Sequence, residues 1–158
     1  MKFLRSIRFD PSDTHVFETA AEPGEWLVPG GFWFAQMRDA DLTGKIRQSF
    51  SNGFLSLNSF GFSTFANVSE ISAAEIETNV QALAERLVAD FEAPSAEAAR
   101  AAAESEIEYV LDLCTDAPVN SVFALVRELD EDGQMHERLS LVETQGEKLH
   151  ARVWEIVE

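Results

Sequence analysis

The chain has 158 residues, 46% of them hydrophobic and 10% aromatic, with five prolines. That length suits one domain able to bury roughly 70% of its unfolded surface, and the composition excludes collagen-like or disordered organisation. Twelve Lys and Arg against 28 Asp and Glu leave a formal charge of −16, which repels phosphate backbones and anionic lipid heads, so neither nucleic acid nor a membrane surface is an expected partner.

Lys2 to Phe9 alternates, with Phe3, Ile7 and Phe9 on one side and Leu4 interrupting an otherwise polar opposite face. This predicts a partly buried strand closed by Asp10-Pro11-Ser12-Asp13. Arg5, Arg8, Asp10 and Pro11 break up any apolar run behind the basic start. No segment approaches the ~18 apolar residues of a membrane span. The single Cys114 allows no intrachain disulfide, and a reducing cytoplasmic location is expected.

Between Thr14 and Gln36, the apolar pieces Val16-Phe17, Trp26-Leu27-Val28 and Phe32-Trp33-Phe34 are punctuated by Glu22-Pro23-Gly24 and Pro29-Gly30-Gly31. The pattern predicts short strands joined by tight turns rather than helices. Asp41 to Phe50 reads as a short helix, because Leu42, Ile46 and Phe50 recur every four residues and Ser51-Asn52-Gly53 offers a left-handed stop. A strand is expected from about Ser63 to Glu70.

Ser72-Ala73-Ala74-Glu75 is a capping box, in which serine accepts an orphan amide hydrogen bond and glutamate reaches back. Ile76, Val80, Leu83, Leu87 and Phe91 then share one helical face until Ala93-Pro94 stops it. Ser95 caps a second helix with the stripe Ala99, Ala103, Ile107, Val110 and Cys114, ending near Pro118. The two helices, 72–92 and 95–116, are expected to form a hairpin. The last forty residues read as a three-stranded meander, Asn120 to Leu129, Gln134 to Glu143 and Lys148 to Val157, with turns at Asp130-Glu131-Asp132-Gly133 and Thr144-Gln145-Gly146-Glu147. Leu139 and Leu141, and then Leu149, Ala151 and Val153, mark its buried face. The expected fold is a single α+β domain: a largely antiparallel sheet with a two-helix hairpin packed on one face.

Charge is sorted along the chain. Residues 72 to 116 hold eleven acidic residues against only Arg86 and Arg100, whereas seven of the twelve cations lie on predicted strands. If the meander pairs as expected, Arg127, His136, Arg138, His150 and Arg152 converge on a cationic face suited to a carboxylate or phosphate. The plainer reading makes them solvated strand residues, or places them opposite the protein's own acidic helices. A second candidate is the aromatic run from Phe32 to Phe65. There Phe32, Trp33, Phe34 and Phe60 line a pocket or subunit interface, unless they simply pack the core.

His15, between Asp13 and Glu18, has the surroundings of a general base or one metal ligand, but nothing completes it. His15, His136 and His150 lack metal-site spacing, so no metal and no cofactor is expected. Cys114 in its apolar stripe reads as a small buried hydrophobe. Thr43-Gly44-Lys45-Ile46 is not a P-loop, Gly61-Phe62-Ser63-Thr64-Phe65 lacks the second glycine of a nucleophile elbow, and Pro29-Gly30-Gly31 lacks the dinucleotide-binding pattern. The carboxylates Glu104, Glu106 and Glu108 most simply form a solvated helix face, since paired carboxylates for hydrolysis must flank a cleft.

The opening Lys2 to Thr14, with Ala21-Glu22-Pro23-Gly24-Glu25-Trp26, Val28-Pro29-Gly30-Gly31-Phe32, Gly53-Phe54-Leu55, Ser59-Phe60-Gly61 and Pro118-Val119-Asn120, resembles a family of short, mostly alphaproteobacterial proteins known as a domain of unknown function. The likeness covers nearly the whole chain. It implies a stand-alone bacterial cytoplasmic domain and carries over no catalytic residue. The expected function is a non-catalytic accessory or binding protein, self-associating or engaging a protein partner. The competing expectation is a small enzyme on an anionic metabolite, with His15 or His136 moving the proton and Arg138 and Arg152 clamping the anion.

Overall fold

The alternation at the start of the chain builds the middle of the sheet. In a computed structural model that describes residues 1–142, strand β1 (Lys2–Ile7) is flanked by β2 (Trp26–Val28) and β5 (Phe65–Glu70). With β3 (Phe54–Ser56), β4 (Phe62–Ser63), β6 (Val122–Leu129) and β7 (Met135–Val142), the described residues form a curled sheet in the order β4-β3-β2-β1-β5-β6-β7, antiparallel at every pairing. The fold class is α+β with helices packed against the sheet. Phe3 and Leu4, on opposite faces of β1, are both fully buried, and Ser6 is buried beside Leu4. The expected polar face of this strand is therefore interior, because a curled sheet wraps its central strand on both sides.

The helical hairpin matches its sequence pattern. Helix α3 (Ala73–Asp90) starts with Ser72 Oγ accepting from Glu75 N at 3.1 Å while Glu75 Oε1 accepts from Ser72 N at 3.0 Å. Helix α4 (Ala96–Cys114) starts with Ser95 Oγ accepting from Ala98 N at 3.0 Å. Val80, Leu83 and Leu87 are buried with Ala99, Ala103, Ile107, Val110 and Cys114. Arg100 clamps the pair by donating to both oxygens of Glu77, at 2.7 Å each. Replacing Ser72 with Ala leaves a first-turn amide unpaired and should cost about 1 kcal/mol in denaturant unfolding. A loss below a few tenths would show that the capping box is redundant to tertiary packing. No helix among the described residues is long and apolar enough to cross a membrane.

The segment from Thr14 to Gln36 departs from expectation. Only Trp26–Val28 is a strand; Asp13–Val16 is a helical turn (α1), and Gly31–Phe34 is a 3-10 turn. At the first, Asp13 folds inward and accepts from Thr64 Oγ1 at 2.6 Å and Thr64 N at 3.2 Å, which holds a turn rather than a strand. At the second, Gly30 takes a left-handed φ of 80° where a Cβ would sit 2.5 Å from Leu55 Cβ. Only glycine allows that reversal.

The short helix is shifted to α2 (Gly44–Asn52) behind a 3-10 turn at Asp39–Asp41. Gly53, expected as a left-handed stop, is extended at φ −93°. It is glycine for space, since a Cβ would lie 2.8 Å from both Ser49 O and Phe62 Cδ1. The predicted strand Ser63–Glu70 divides at Thr64, where the chain turns to reach Asp13.

The β6–β7 hairpin pairs from Val122↔Val142 to Leu129↔Met135. Its turn is tied by Asp130 Oδ1 accepting from Asp132 N and Gln134 N, both at 2.9 Å, with Gly133 at φ 79°. Strand β7 is largely exposed: Leu139 is half-buried, and Leu141, expected inside, is 55% exposed. The anticipated third meander strand, Lys148 to Val157, lies outside the described residues.

Candidate functional site

The hairpin register divides the proposed cationic face. Arg127 stands opposite Glu137, whereas Arg138 stands opposite Val126 and His136 opposite Glu128. Cross-strand partners share a face and neighbours alternate, so Arg127 projects from one side and His136 and Arg138 from the other. The sequence reading that gathered all three on one surface is corrected here, and His150 and Arg152 lie outside the described residues. His136 Nε2 is 2.7 Å from Asp130 Oδ2 on an exposed turn. His15 is exposed on α1, and the adjacent Asp13 is committed to Thr64.

Arg127 is 2% exposed, the largest side chain among those fully buried. Its Nε donates to Glu137 Oε1 at 2.8 Å and its Nη1 to Phe50 O at 2.9 Å and Ser49 O at 3.3 Å. Its Nη2 donates to Pro29 O. The guanidinium also lies 5.2 Å from the centre of the Phe34 ring. Its planar fork thereby joins β6, β7, the end of α2 and the turn after β2, a geometry that a lysine ammonium cannot reproduce. Burial pulls the Arg127 pKa down, and the neighbouring Glu137 and Glu106 carboxylates oppose that pull.

Beside this arginine opens a cleft of about 340 Å³ lined by Phe32, Ser105, Glu106, Tyr109, Met135 and Glu137, with Pro29 and Gly31 completing its wall. Its polar groups come from two places: Ser105, Glu106 and Tyr109 from successive turns of α4, and Glu137 from β7. A Cβ on Gly31 would lie 3.2 Å from Met135 Cε and 3.3 Å from Glu137 Oε1, so glycine keeps this wall thin. The Glu106 carboxyl is pushed above the usual carboxylate range, first by burial and then by Glu137, with Arg127 opposing. Burial likewise raises Tyr109, aided by Glu137 and Glu106. Glu106, grouped by sequence with Glu104 and Glu108 on a solvated face, instead flanks a cleft with a second carboxylate. Its place one residue before the buried Ile107 was the available signal.

Phe34 and Phe60 are buried, and Phe32 and Trp33 are half-buried against the core. Trp33 lies 5.5 Å from Phe60, 5.8 Å from Phe62 and 5.5 Å from Phe91, and Phe32 lies 5.2 Å from Phe91. The run is thus stitched to the end of α3. Phe32 also borders a second cavity of about 270 Å³ with Leu87, Phe91, Ala98 and Ala102. Cys114 is buried, and burial pushes its thiol up to about 11, out of reach of thiolate chemistry at neutral pH. Among the described residues no group of three or more His, Cys, Asp or Glu is placed to hold a metal ion.

No curated protein and no solved structure gave a match to the chain. The sequence profile of a family of unknown function, DUF6505, matches residues 1–154, and the chain belongs to that family.

Proposed function

We propose that this is a non-catalytic binding protein that receives a positively charged group in the cleft between α4 and the β6–β7 hairpin. The observation that carries this reading is the charge count in the cleft: among the described residues two carboxylates, Glu106 and Glu137, face a single neighbouring cation, Arg127. Arg127 donates its hydrogen bond to Glu137 and not to Glu106, and the Glu106 carboxyl is raised first by its burial and then by the charge of Glu137, with Arg127 opposing. The Tyr109 and Phe32 rings offer the aromatic walls that favour an organic cation. The formal charge of −16 enriches cations around the whole molecule. A binding role fits better than proton-transfer chemistry on an anion because His136 and Arg138 project away from the cleft.

The test is a titration of the protein with butylamine, followed by amide chemical shifts. Shifts are expected around Ser105, Glu106 and Tyr109, and Glu106→Gln should weaken binding about tenfold, the scale of one charge-assisted hydrogen bond. Affinity should fall as pH drops through the raised Glu106 carboxyl, since a cation needs that group ionised, and the Gln variant should lose this dependence. Binding of acetate or phosphate in place of the amine would overturn the reading and favour an enzyme acting on an anion. Self-association is the second reading, favoured by Met135 and Leu141, exposed to 38% and 55% on the same side of β7. A monomer by light scattering at high concentration would remove it.

A further inference from the structure

The two cavities have one lining residue in common. Phe32 lines both, and α4 supplies the wall of each in order: Ala98 and Ala102 to the apolar one, then Ser105, Glu106 and Tyr109 to the charged one. These five positions follow one another at helical steps of four, three, one and three, so they form one continuous strip beside the buried stripe of Ala99, Ala103 and Ile107. At 1.5 Å per residue the strip from Ala98 to Glu106 is about 12 Å long, which extended octylamine covers, at about 10 Å from nitrogen to terminal carbon plus the van der Waals radius at each end. One end holds carboxylates, and the other is lined by apolar side chains from α3, α4, the loop between them and the 31–35 segment, with Gln36 as the polar residue among them.

We propose that the cleft and the apolar cavity are the two ends of one site, and that its ligand class is an amphiphilic amine. The ammonium sits at Glu106 and Glu137, and the hydrocarbon chain runs past Phe32 over Ala102 and Ala98. This rests on the cleft being a cation site and adds the part of the ligand that the cleft cannot hold. Charge fixes the orientation, since a carboxylate at the same end would meet two like charges. Water in the apolar cavity has few polar partners there, so its replacement by methylenes is favourable.

The experiment compares butylamine, octylamine and octanoate against the full chain by amide-shift titration. Each methylene that enters the apolar cavity should tighten binding about fourfold. Octylamine is therefore expected to bind at least tenfold tighter than butylamine and to move resonances of Phe91, Ala98 and Ala102 that butylamine leaves in place. Ala102→Trp, at an exposed helix position that tolerates a larger side chain, should fill the apolar cavity and bring the two amines to equal affinity while butylamine binding persists. Equal affinities in the unsubstituted protein would overturn the joined site and leave the cation cleft standing. Failure of both amines, or octanoate binding as tightly as octylamine, would overturn both readings.

Discussion

Arg127→Met is expected to destabilise the protein by about 3–5 kcal/mol, the cost of breaking a buried charged network by removing one partner. The substitution removes the donor of the Pro29 and Phe50 carbonyls, leaves Ser49 O with only Gly53 N at 2.9 Å, and strips Glu137 of its partner. The side chain of Glu137 is a quarter exposed and can recover some hydration, whereas carbonyls facing a buried guanidinium cannot. Arg127→Lys should recover only part of the loss, because a single ammonium cannot serve the carboxylate and three carbonyls from one plane. Urea midpoints at unchanged slope would measure both. A loss under 1 kcal/mol for the Met variant would mean that the turn after β2 and the end of α2 are held by packing alone.

Phe62→Ala should cost a similar amount, about 3–5 kcal/mol, for a buried aromatic replaced by a cavity. Phe62 meets Phe17 at 5.9 Å, Trp33 at 5.8 Å and Phe34 at 5.9 Å, so one truncation loosens α1, the 3-10 turn and β4 together. The residue also sets the demand for glycine at 53, where its ring leaves no space for a Cβ. The measurement distinguishes two roles for the aromatic run. If Phe62→Ala unfolds the protein at low urea, the rings there are core, and only Phe32 on the cavity side remains available to a ligand. A neutral effect on stability would instead make the whole run a surface for recognition.

The charge sorting seen along the chain also has a different meaning once folded. Among the described residues the strand cations do not assemble into one patch. Lys2 Nζ donates to Ala117 O, the Arg5 guanidinium lies 4.2 Å from the centre of the Trp26 ring, and Arg127 is interior. Each of these cations is spent on packing the sheet. The acidic helices, meanwhile, contribute Glu106 to a cleft where carboxylates from helix and strand meet.

By itself the sequence determined the helical hairpin and the β6–β7 hairpin. Caps at Ser72 and Ser95, the apolar stripe from Ala99 to Cys114, and the Asp130 to Gly133 turn are properties of consecutive residues, and local hydrogen bonds and periodicity settle them without distant partners. Tertiary structure decided the rest. Whether Arg127 points in or out depends on the parity of its strand relative to the core. Whether Glu106 is solvated depends on β7, thirty residues later, arriving beside α4. Whether 31–34 is strand or 3-10 turn depends on Gly30 lying against Leu55. Such outcomes rest on contacts between residues far apart in the chain, whose energies are set by burial and by the unpaired groups that burial would otherwise leave, and neither can be read from a residue's neighbours in sequence.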